Sequence, residues 1–324
     1  MIDGHGRNID YIRISVTDRC NLRCTYCIPE EGIPVVAHQE ILSYDEITKL
    51  AEIFADIGIR KIKLTGGEPL VRKGLPNLVK QLKSIPGVEQ VTLTTNGVML
   101  EEMLEELALA GLDGINLSLD TLNSVVFEQI TRRQEFSKVM SGLKKALSYP
   151  EIPLKINCVP MGLPGQNVYE LAELVRKYRI HVRYIEMMPI GLGKQFKPQF
   201  EDEILAELEQ RYGKYEKYEE KLGNGPGHYY TFPGFIGKRG FISAISHKFC
   251  NRCNRVRLTS QGFLKTCLQY ETGIDLKKML RQGAGKEELR MAIEEAIERK
   301  QTGHQFGESS DENGETHMMS QIGG

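Results

Sequence analysis

The sequence has almost no net charge. Its 42 Lys and Arg residues are balanced by 43 Asp and Glu, which leaves a formal charge of −1 over 324 residues. Total charge therefore gives no evidence of a nucleic-acid or membrane partner, and any anion site has to come from local clustering. There is also no run of 18 apolar residues and no apolar signal-peptide core at the start. We expect a cytoplasmic protein that binds neither membrane nor nucleic acid.

Internal repeats and low-complexity tracts are also absent from the sequence. A chain of this length corresponds to roughly two domains, with ample surface to bury a core. Seven cysteines are present, and in a cytoplasmic chain they indicate metal binding or catalysis before disulfides. One of them, Cys158, lies in an apolar β-like run, and we expect it to be a small core residue.

Three cysteines form a C-x3-C-x2-C motif after the first β-like run: Cys20, Cys24 and Cys27. Three thiolates can hold three irons of a four-iron cluster, whereas a full set of protein ligands needs four. The fourth iron would then be open to a reactant, by the logic that separates catalytic from structural zinc. The competing interpretation is a zinc site completed by His38, although the three-residue gap fits zinc spacing poorly.

A second group of three cysteines lies near the C-terminus, with C-x2-C-x13-C spacing: Cys250, Cys253 and Cys267. We interpret it as a second open iron-sulfur site. The alternative is a structural zinc completed by His247, three residues before the group. Arg255 and Arg257 follow in a β-like run, where alternation sends both side chains the same way. They would face the cluster or an anionic ligand, although exposed strand arginines are also common.

β-like runs alternate with helical segments up to about residue 193. Such alternation predicts right-handed βαβ crossovers and a parallel sheet covered by helices. A doubly wound sheet and a partial βα barrel both satisfy it, and unusual residues after successive strands favour the barrel. We predict an α/β fold: a partial (βα)6 TIM-type barrel over 1–222 and a smaller α+β cluster-binding region over 223–324. The six predicted strands are 11–16, 61–65, 90–95, 114–119, 153–159 and 182–187.

The remaining elements are predicted from caps, periodicity and glycine content. A capping box at Ser43 and Glu46 begins a helix that ends at Gly58. A charged helical stretch follows at 201–218, a glycine-rich loop at 223–227, and a last helix at 287–299. Two short strands are predicted at 229–232 and 240–245. The polar end, 303–324, is expected to be mobile while the site is empty.

Five segments together carry a family resemblance. They are TDRCNLRCTYC (17–27), LTGGEPL (64–70), TTNG (94–97), CNRCNRVRL (250–258) with Cys267, and the terminal IGG (322–324). In this combination, which spans essentially the whole chain, the sequence resembles the GTP 3′,8-cyclase family of the radical S-adenosylmethionine (SAM) superfamily. The first motif by itself would indicate only the superfamily.

The resemblance implies two [4Fe-4S] clusters and SAM as cofactors. Cys20, Cys24 and Cys27 would hold the first cluster, whose open iron binds SAM, and Cys250, Cys253 and Cys267 the second. Four further residues would form the SAM pocket: Tyr26, Gly67, Ser118 and Met188. Met188 could equally be core packing, because methionine is a common filler of irregular apolar gaps.

The resemblance also implies that GTP lies between the clusters. Its triphosphate needs Arg and Lys, whose hydrogen bonds to phosphate are charge-assisted. The implied GTP contacts are Arg13, Lys63, Thr94, Lys155, Arg255, Val256 through its backbone, and Arg257. Lys63 stands where the family leads us to expect arginine, and it loses the bidentate fork. Inward cations without a ligand would be costly, which also favours an anionic guest.

The implied reaction is the first step of molybdenum cofactor biosynthesis. A 5′-deoxyadenosyl radical abstracts the C3′ hydrogen of the ribose, and GTP becomes (8S)-3′,8-cyclo-7,8-dihydroguanosine 5′-triphosphate. Arg255, Arg257, Gly323 and Gly324 would act in catalysis, the glycines because a tail without side chains can enter a narrow site. The implied partners are an electron donor and a downstream cyclic pyranopterin monophosphate synthase; a monomer and a homodimer both remain open.

Two other functions are compatible with parts of the sequence. A different radical SAM enzyme could use an auxiliary cluster, for example to modify a peptide; the three C-terminal cysteines and the Gly-Gly end count against it. A non-enzymatic zinc protein could bind a nucleic acid or a partner. Near-neutral charge and the βα alternation oppose that interpretation, because such modules are usually small and basic.

Overall fold

The computed structural model describes residues 1–34, 36–197, 199–306 and 315–323. Six strands run through the first part of the chain: β1 (Tyr11–Ser15), β2 (Lys61–Thr65), β3 (Gln90–Thr95), β4 (Ile115–Ser118), β5 (Leu154–Cys158) and β6 (His181–Ile185). Six shorter strands follow: β7 (Glu216–Tyr218), β8 (His228–Thr231), β9 (Arg239–Ile242), β10 (Arg255–Leu258), β11 (Phe263–Lys265) and β12 (Gly273–Asp275). The six predicted barrel strands are all present, with ends shifted by no more than two residues.

All twelve strands belong to one sheet, in the order β12-β11-β10-β1-β2-β3-β4-β5-β6-β9-β8-β7. Strands β1 to β6 are parallel neighbours in chain order. Two later strands extend this parallel core, β10 beside β1 and β9 beside β6. The outermost strands, β12 and β7, are not paired with each other in the described part of the chain. The sheet is therefore an open barrel, and the predicted partial α/β barrel is confirmed.

Helices cover the outside of the sheet. They are α1 (Tyr44–Asp56), α2 (Leu75–Lys83), α3 (Leu100–Leu109), α4 (Ser124–Thr131), α5 (Phe136–Leu147), α6 (Val168–Lys177), α7 (Glu201–Tyr212), α8 (Leu276–Arg281) and α9 (Lys286–Glu298). Short 3-10 turns lie at His38–Glu40, Pro69–Val71, Gly191–Gln195 and Cys250–Arg252. The capping box of α1 forms as predicted: the Ser43 side chain accepts from the Glu46 N–H, and the Glu46 carboxylate accepts from the Ser43 N–H. None of the described helices has the length and apolarity needed to cross a membrane.

Strand alternation separates an apolar face from a polar one. Ile12, Ile62 and Val91 are fully or almost fully buried in the main core, which lies between sheet and helices. Their chain neighbours Arg13, Lys63 and Thr92 line the barrel interior instead. Period-two alternation makes this separation necessary, because successive strand side chains point to opposite faces. Cys158 is fully buried in the core, as predicted.

One predicted element is wrong. The charged stretch 201–218 is helical only to Tyr212, and residues 216–218 form strand β7 paired antiparallel with β8. Gly213 ends the helix with a φ of +83°, a conformation that glycine adopts without steric cost. Strand pairing further along the chain then overrides the helical composition of this segment.

The region after residue 222 contributes strands to both ends of the same sheet, through β8 and β9 at one end and β10 to β12 at the other. A division of the chain at residue 222 stays a prediction. In the tail that we expected to be mobile, Ile322 is 3% exposed and packs with Ile190 and Phe306. The described part of the tail, 315–323, thus has an apolar anchor that its composition did not indicate; its mobility stays a prediction.

Candidate active site

A cavity of about 960 Å³ runs through the barrel. At the carboxyl ends of the strands its wall includes the first cysteine motif, Gly67 and Asp120, and at the opposite end it includes Gly223. Its volume lies at the top of the usual range of about 300–1,000 Å³ for small-molecule sites. The cavity therefore has room for a cofactor and a substrate together.

The first cysteine loop is held in place by the two glycines after β2. The Gly67 N–H donates to the Thr17 carbonyl at 2.8 Å, and the Glu68 N–H donates to the Arg19 carbonyl at 2.8 Å. A Cβ atom on Gly66 would lie 2.4 Å from the Thr17 oxygen, and one on Gly67 would lie 2.5 Å from the Arg19 oxygen. Only glycine permits this approach. The glycine motif therefore positions the cysteines in addition to lining the cavity.

Burial raises the pKa of all three thiols in this loop. The pKa of Cys20 rises to about 11, that of Cys27 rises to about 12, and that of Cys24 lies well above its ordinary value. Thiolates in such surroundings need a cation to stabilise them, and a bound metal supplies it because coordinated thiols are deprotonated. The donor chemistry fits a metal cluster.

The spacing of the side chains discriminates between one metal ion and a cluster. Within the described residues, the only three Cys, His, Asp or Glu side chains whose ligand atoms all lie within 4.8 Å of one another are Glu271, Glu315 and His317. Thiolates around one tetrahedral zinc would be about 3.8 Å apart, given Zn–S bonds of about 2.3 Å. Cysteines on different irons of a cluster are spaced more widely. Within the described residues, neither cysteine group therefore has the close mutual spacing of three ligands on one zinc ion.

Glu68 joins the ends of β2 and β3 behind the cysteine loop. Its carboxylate accepts from the Asn96 N–H at 2.6 Å, the Leu70 N–H at 2.9 Å and the Thr95 hydroxyl at 2.7 Å. Burial raises the pKa of Glu68 to about 7, against these hydrogen bonds, which lower it. The Asn96 amide in turn donates to the Asn21 side chain and lies 3.8 Å from the Cys20 sulfur. The family resemblance places the segment with Glu68 at the SAM amino group, but neither Glu68 nor Asn96 was predicted as an individual site residue.

The predicted SAM-pocket residues lie around the same end of the cavity. Tyr26, Gly67, Ser118 and Met188 all line it. The Tyr26 hydroxyl donates to Asp120 at 2.9 Å, and burial raises the pKa of Asp120 to about 6. Asp120 lies two residues after the end of β4 and was not among the predicted site residues. Met188 also packs against Ile190 and Ile322, so its lining and packing roles coexist.

The predicted phosphate contacts form a row across adjacent strands. Arg257, Arg13 and Lys63 occupy one register on β10, β1 and β2, and Lys155 is paired with Asn116 on β4. Burial, and after it the positive charges of Arg183, Arg13 and Lys155, hold the pKa of Lys63 well below its usual value. Burial and Arg183 lower the pKa of Lys155 to about 8. Mutual repulsion of this kind is relieved by an anion.

Arg183 is a cation of the cavity wall that was not among the predicted site residues. Its guanidinium donates to the Asn157 side-chain oxygen at 2.9 and 2.6 Å, and both residues line the cavity. The alternation of β6 could have indicated it. Val182 and Tyr184 are buried on the outer face of the sheet, under the helices, so Arg183 between them belongs to the inner face. Thr94 also lines the cavity, and the Asn116 amide lies 3.4 Å from its hydroxyl. The Val256 side chain does not face the cavity, because it lies on the other face of the sheet and is buried in the core.

The second cysteine group lies beside cations. Although burial opposes ionisation, the nearby Arg255, Lys300 and Arg7 lower the pKa of Cys253, which favours the thiolate. The Arg7 guanidinium donates to the Cys250 carbonyl at 2.9 Å, and the buried Lys300 donates to the Thr266 carbonyl. His247, which would complete a zinc site at this group, makes other contacts: its Nδ1 lies 3.6 Å from Glu201 and 3.2 Å from the Ser246 hydroxyl.

The described part of the tail reaches the cavity, where Met319 and Ser320 form part of its wall. Arg257 donates to the Gly323 carbonyl at 2.6 Å, and the Ser320 N–H is directed at the Cys27 sulfur. Gly323 has a φ of +75°, and a Cβ there would lie 3.1 Å from the Cβ of Ser15. Arg255 and Arg257 both line the cavity. Gly324, the other predicted tail residue, lies outside the described residues.

Comparisons with known proteins agree with this arrangement. Residues 14–178 match the Radical SAM superfamily, and residues 180–306 match Molybdenum Cofactor Synthesis C. A protein of Desulforamulus reducens named GTP 3′,8-cyclase is 44% identical over 333 residues, covering all of both chains. The chain belongs to the GTP 3′,8-cyclase family. Proteins of the same name from Syntrophomonas wolfei and Clostridium perfringens are 43% and 41% identical, again over the full length of both chains.

The solved structures support the fold of this family member. The crystal structure of Streptococcus suis SuiB superposes with a TM-score of 0.59, at 16% identity, and covers 90% of this chain and 69% of that one. At this identity the likeness shows the fold alone. The assignment of the barrel to the radical SAM type rests on the family match over residues 14–178.

Proposed function

We propose that the chain converts GTP to (8S)-3′,8-cyclo-7,8-dihydroguanosine 5′-triphosphate, in the first step of molybdenum cofactor biosynthesis. The observation that carries the proposal is that one cavity joins a three-cysteine loop to a row of inward cations. The full-length relatives named GTP 3′,8-cyclase support it. A radical SAM enzyme acting on an uncharged substrate would have no use for this row.

The first cysteine loop would hold a [4Fe-4S] cluster through Cys20, Cys24 and Cys27. With SAM at its open iron, this cluster supplies one-electron cleavage of SAM as the source of the radical. The protein's part is to orient the cofactor. Gly67 presents backbone at the cavity wall, Tyr26 and Ser118 line the pocket, and Met188 adds an apolar contact. Glu68 and Asp120 place carboxyl groups near this end, which suits the positively charged sulfonium and amine of SAM.

The cation row would hold the triphosphate. Arg13, Lys63 and Lys155 line the cavity, and Arg183 adds a fourth cation to the same wall. Arginine can bind phosphate through two parallel hydrogen bonds, whereas Lys63 offers a point charge. Because Lys63 and Lys155 have lowered pKa values in the free protein, triphosphate binding would bring proton uptake with it. Thr94 would add a hydroxyl contact, and Val256 would contribute only its backbone.

A second [4Fe-4S] cluster would be held by Cys250, Cys253 and Cys267, with the guanine base at its open iron. The thiolate-favouring surroundings of Cys253 support this ligand set. Arg255 and Arg257 line the cavity, and the charge of Arg255 also acts on Cys253, so a cation there can stabilise charge that develops during ring closure. Gly323 is held against Arg257, and Gly324 would extend from it; a catalytic part for both glycines stays a prediction.

The cellular setting follows from the chemistry. The enzyme would work in the cytoplasm with an electron donor, and it would pass its product to a cyclic pyranopterin monophosphate synthase. Neither a nucleic acid nor a membrane is needed, and a homodimer is compatible with this function. These remain proposals.

The decisive experiment is an anaerobic assay. Enzyme reconstituted with iron and sulfide is reduced and given SAM, with or without GTP, and 5′-deoxyadenosine and nucleotide products are followed by mass spectrometry. We expect 5′-deoxyadenosine whose formation depends on GTP, together with a nucleotide of unchanged mass and a new ring. SAM cleavage that ignores GTP would leave the first cluster correct and assign the cation row to another anion. Binding of zinc in place of iron would overturn the proposal.

A further inference from the structure

The described tail is attached to the sheet at its beginning as well as near its end. Its first residue, Glu315, has a fully buried side chain, and its carboxylate accepts from the ammonium of Lys265 on β11. Lys265 is itself only 3% exposed. A buried carboxylate is costly unless it is paired, so this contact fixes the point at which the tail enters the fold.

The second attachment is on the neighbouring strand. Lys265 and Arg257 are direct antiparallel partners on β11 and β10, and directly opposite side chains lie on the same face of a sheet. Arg257 donates to the Gly323 carbonyl. Two adjacent cations therefore hold the two ends of one nine-residue segment, whose Met319 and Ser320 line the cavity.

Smaller contacts keep this loop in shape. The Thr316 N–H and hydroxyl donate to Glu271, and the His317 N–H donates to Glu315 at 2.9 Å. The Met318 N–H donates to the Gln321 side chain at 2.9 Å, and the Gln321 N–H returns to the Met318 carbonyl at 2.9 Å. Ile322 is then buried. The position of Gly323 thus depends on a chain of contacts that begins at Glu315.

Glu271, Glu315 and His317 also have the mutual spacing of a metal site. The Lys265 ammonium already neutralises Glu315 from the buried side. A divalent cation would have to share that carboxylate with a buried positive charge. The group is better explained by attachment of the tail than by a metal ion.

We propose that the Lys265–Glu315 ion pair is a clasp that positions the C-terminal tail in the active site, and that Glu315 is a positioning residue for the reaction. The inference rests on the proposed function only for its catalytic consequence. The clasp itself concerns only the position of residues 315–323. Its loss should release the tail while both cysteine groups keep their metal.

The test is amide hydrogen exchange in peptides that cover 316–323, measured on the anaerobically reconstituted enzyme. Glu315→Gln leaves a buried ammonium without its counter-charge, and breaking such a pair is strongly destabilising for the segment it holds. We expect exchange in these peptides at least about tenfold faster than in the wild type, with iron content and exchange in β1 to β6 unchanged. Glu40→Gln is the matched control, because it breaks the exposed Lys277–Glu40 pair and should leave the tail unchanged.

A double-variant cycle separates the ion pair from general damage. If the pair is the link, Lys265→Gln combined with Glu315→Gln should accelerate tail exchange no more than either single change. In the activity assay Glu315→Gln should lower cyclised product per SAM cleaved, with little change in the KM for SAM. Unchanged tail exchange in Glu315→Gln, or losses that add in the double variant, would overturn the clasp. A wild-type enzyme that ignores GTP would refute the proposed function and leave the exchange result standing.

Discussion

The two cysteine groups have different electrostatic surroundings. At the first, burial raises the pKa of every thiol, and the neighbouring side chains include the carboxyl groups of Glu68 and Asp120. At the second, Arg255, Lys300 and Arg7 stand close enough to lower the pKa of Cys253. The same ligand type therefore has carboxyl groups and the cation Arg23 near it at the first group, and several cations near it at the second.

This difference matches the charges of the two proposed guests. SAM carries a sulfonium and an amine, which the carboxyl groups of Glu68 and Asp120 near the first group would attract. GTP carries a triphosphate, and the cations needed for it begin at the second group and continue across β1, β2 and β5 through Arg13, Lys63 and Lys155. The charged side chains that line one cavity therefore differ along its length, and each end favours a different ligand.

Removing one cysteine ligand from each group tests whether the two groups have separate roles. Cys20→Ala should abolish SAM cleavage and lower bound iron by roughly half, since one cluster of about four irons is lost. Cys250→Ala should lower iron by a similar amount but keep SAM cleavage, because the first site remains intact. Iron analysis and 5′-deoxyadenosine formation check both. Equal loss of cleavage in the two variants would contradict a division of labour between the groups.

A second variant tests the cation-rich end alone. Arg255→Ala removes a cation beside Cys253, so GTP should bind about 30-fold or more weakly. Affinity for SAM should stay within about twofold, since the first group is untouched. Isothermal titration of each ligand measures the two effects. Arg290→Ala on α9, which breaks only exposed ion pairs, should change neither, and a parallel loss of SAM affinity in Arg255→Ala would show that the ends are not independent.

Local sequence patterns were sufficient to predict most of the barrel and its inward cations. The alternation of β1 and β2 fixes the parity of Arg13 and Lys63, and the capping box fixes the start of α1. The same alternation in β6 predicts that the Arg183 side chain faces inward. These features depend on residues close together in the chain.

What the sequence could not give depends on distant pairing. Ile12 is paired with Val256, 244 positions away, and no local signal indicates that β10 extends the parallel core beside β1. The tail is similar: Lys265 and Glu315 are 50 residues apart, and polar composition alone suggested a mobile end. Composition describes the average surroundings of a segment, whereas burial of one apolar residue, Ile322, and one ion pair decides where this segment lies.

The pH dependence of GTP binding is a finer test of the cation-rich end. Lys155 has a pKa of about 8 in the free protein, and a bound triphosphate would raise it, so binding takes up a proton. Affinity for GTP should therefore be greatest below this pKa and fall as pH rises above it, by up to about tenfold per unit. Titration at about pH 7 and about pH 9 measures the fall. Lys155→Arg keeps its charge over this range, so a variant with the same pH dependence as the wild type would exclude Lys155 as its source.

The smallest expected effect concerns the carboxylate-bearing end. Tyr26→Phe keeps the ring at the cavity wall and removes only the hydroxyl that donates to Asp120 at 2.9 Å. A hydrogen bond to a charged group contributes about 1.5–3 kcal/mol when one partner is deleted, and less where Asp120 retains its bond from the Val159 N–H. We expect SAM to bind several-fold more weakly and GTP to bind as before, measured by the same titrations. Tyr26→Leu, which also removes the aromatic face, should cost more; if both variants bind SAM equally, the ring has no part in the pocket and the hydroxyl accounts for the whole contribution of Tyr26.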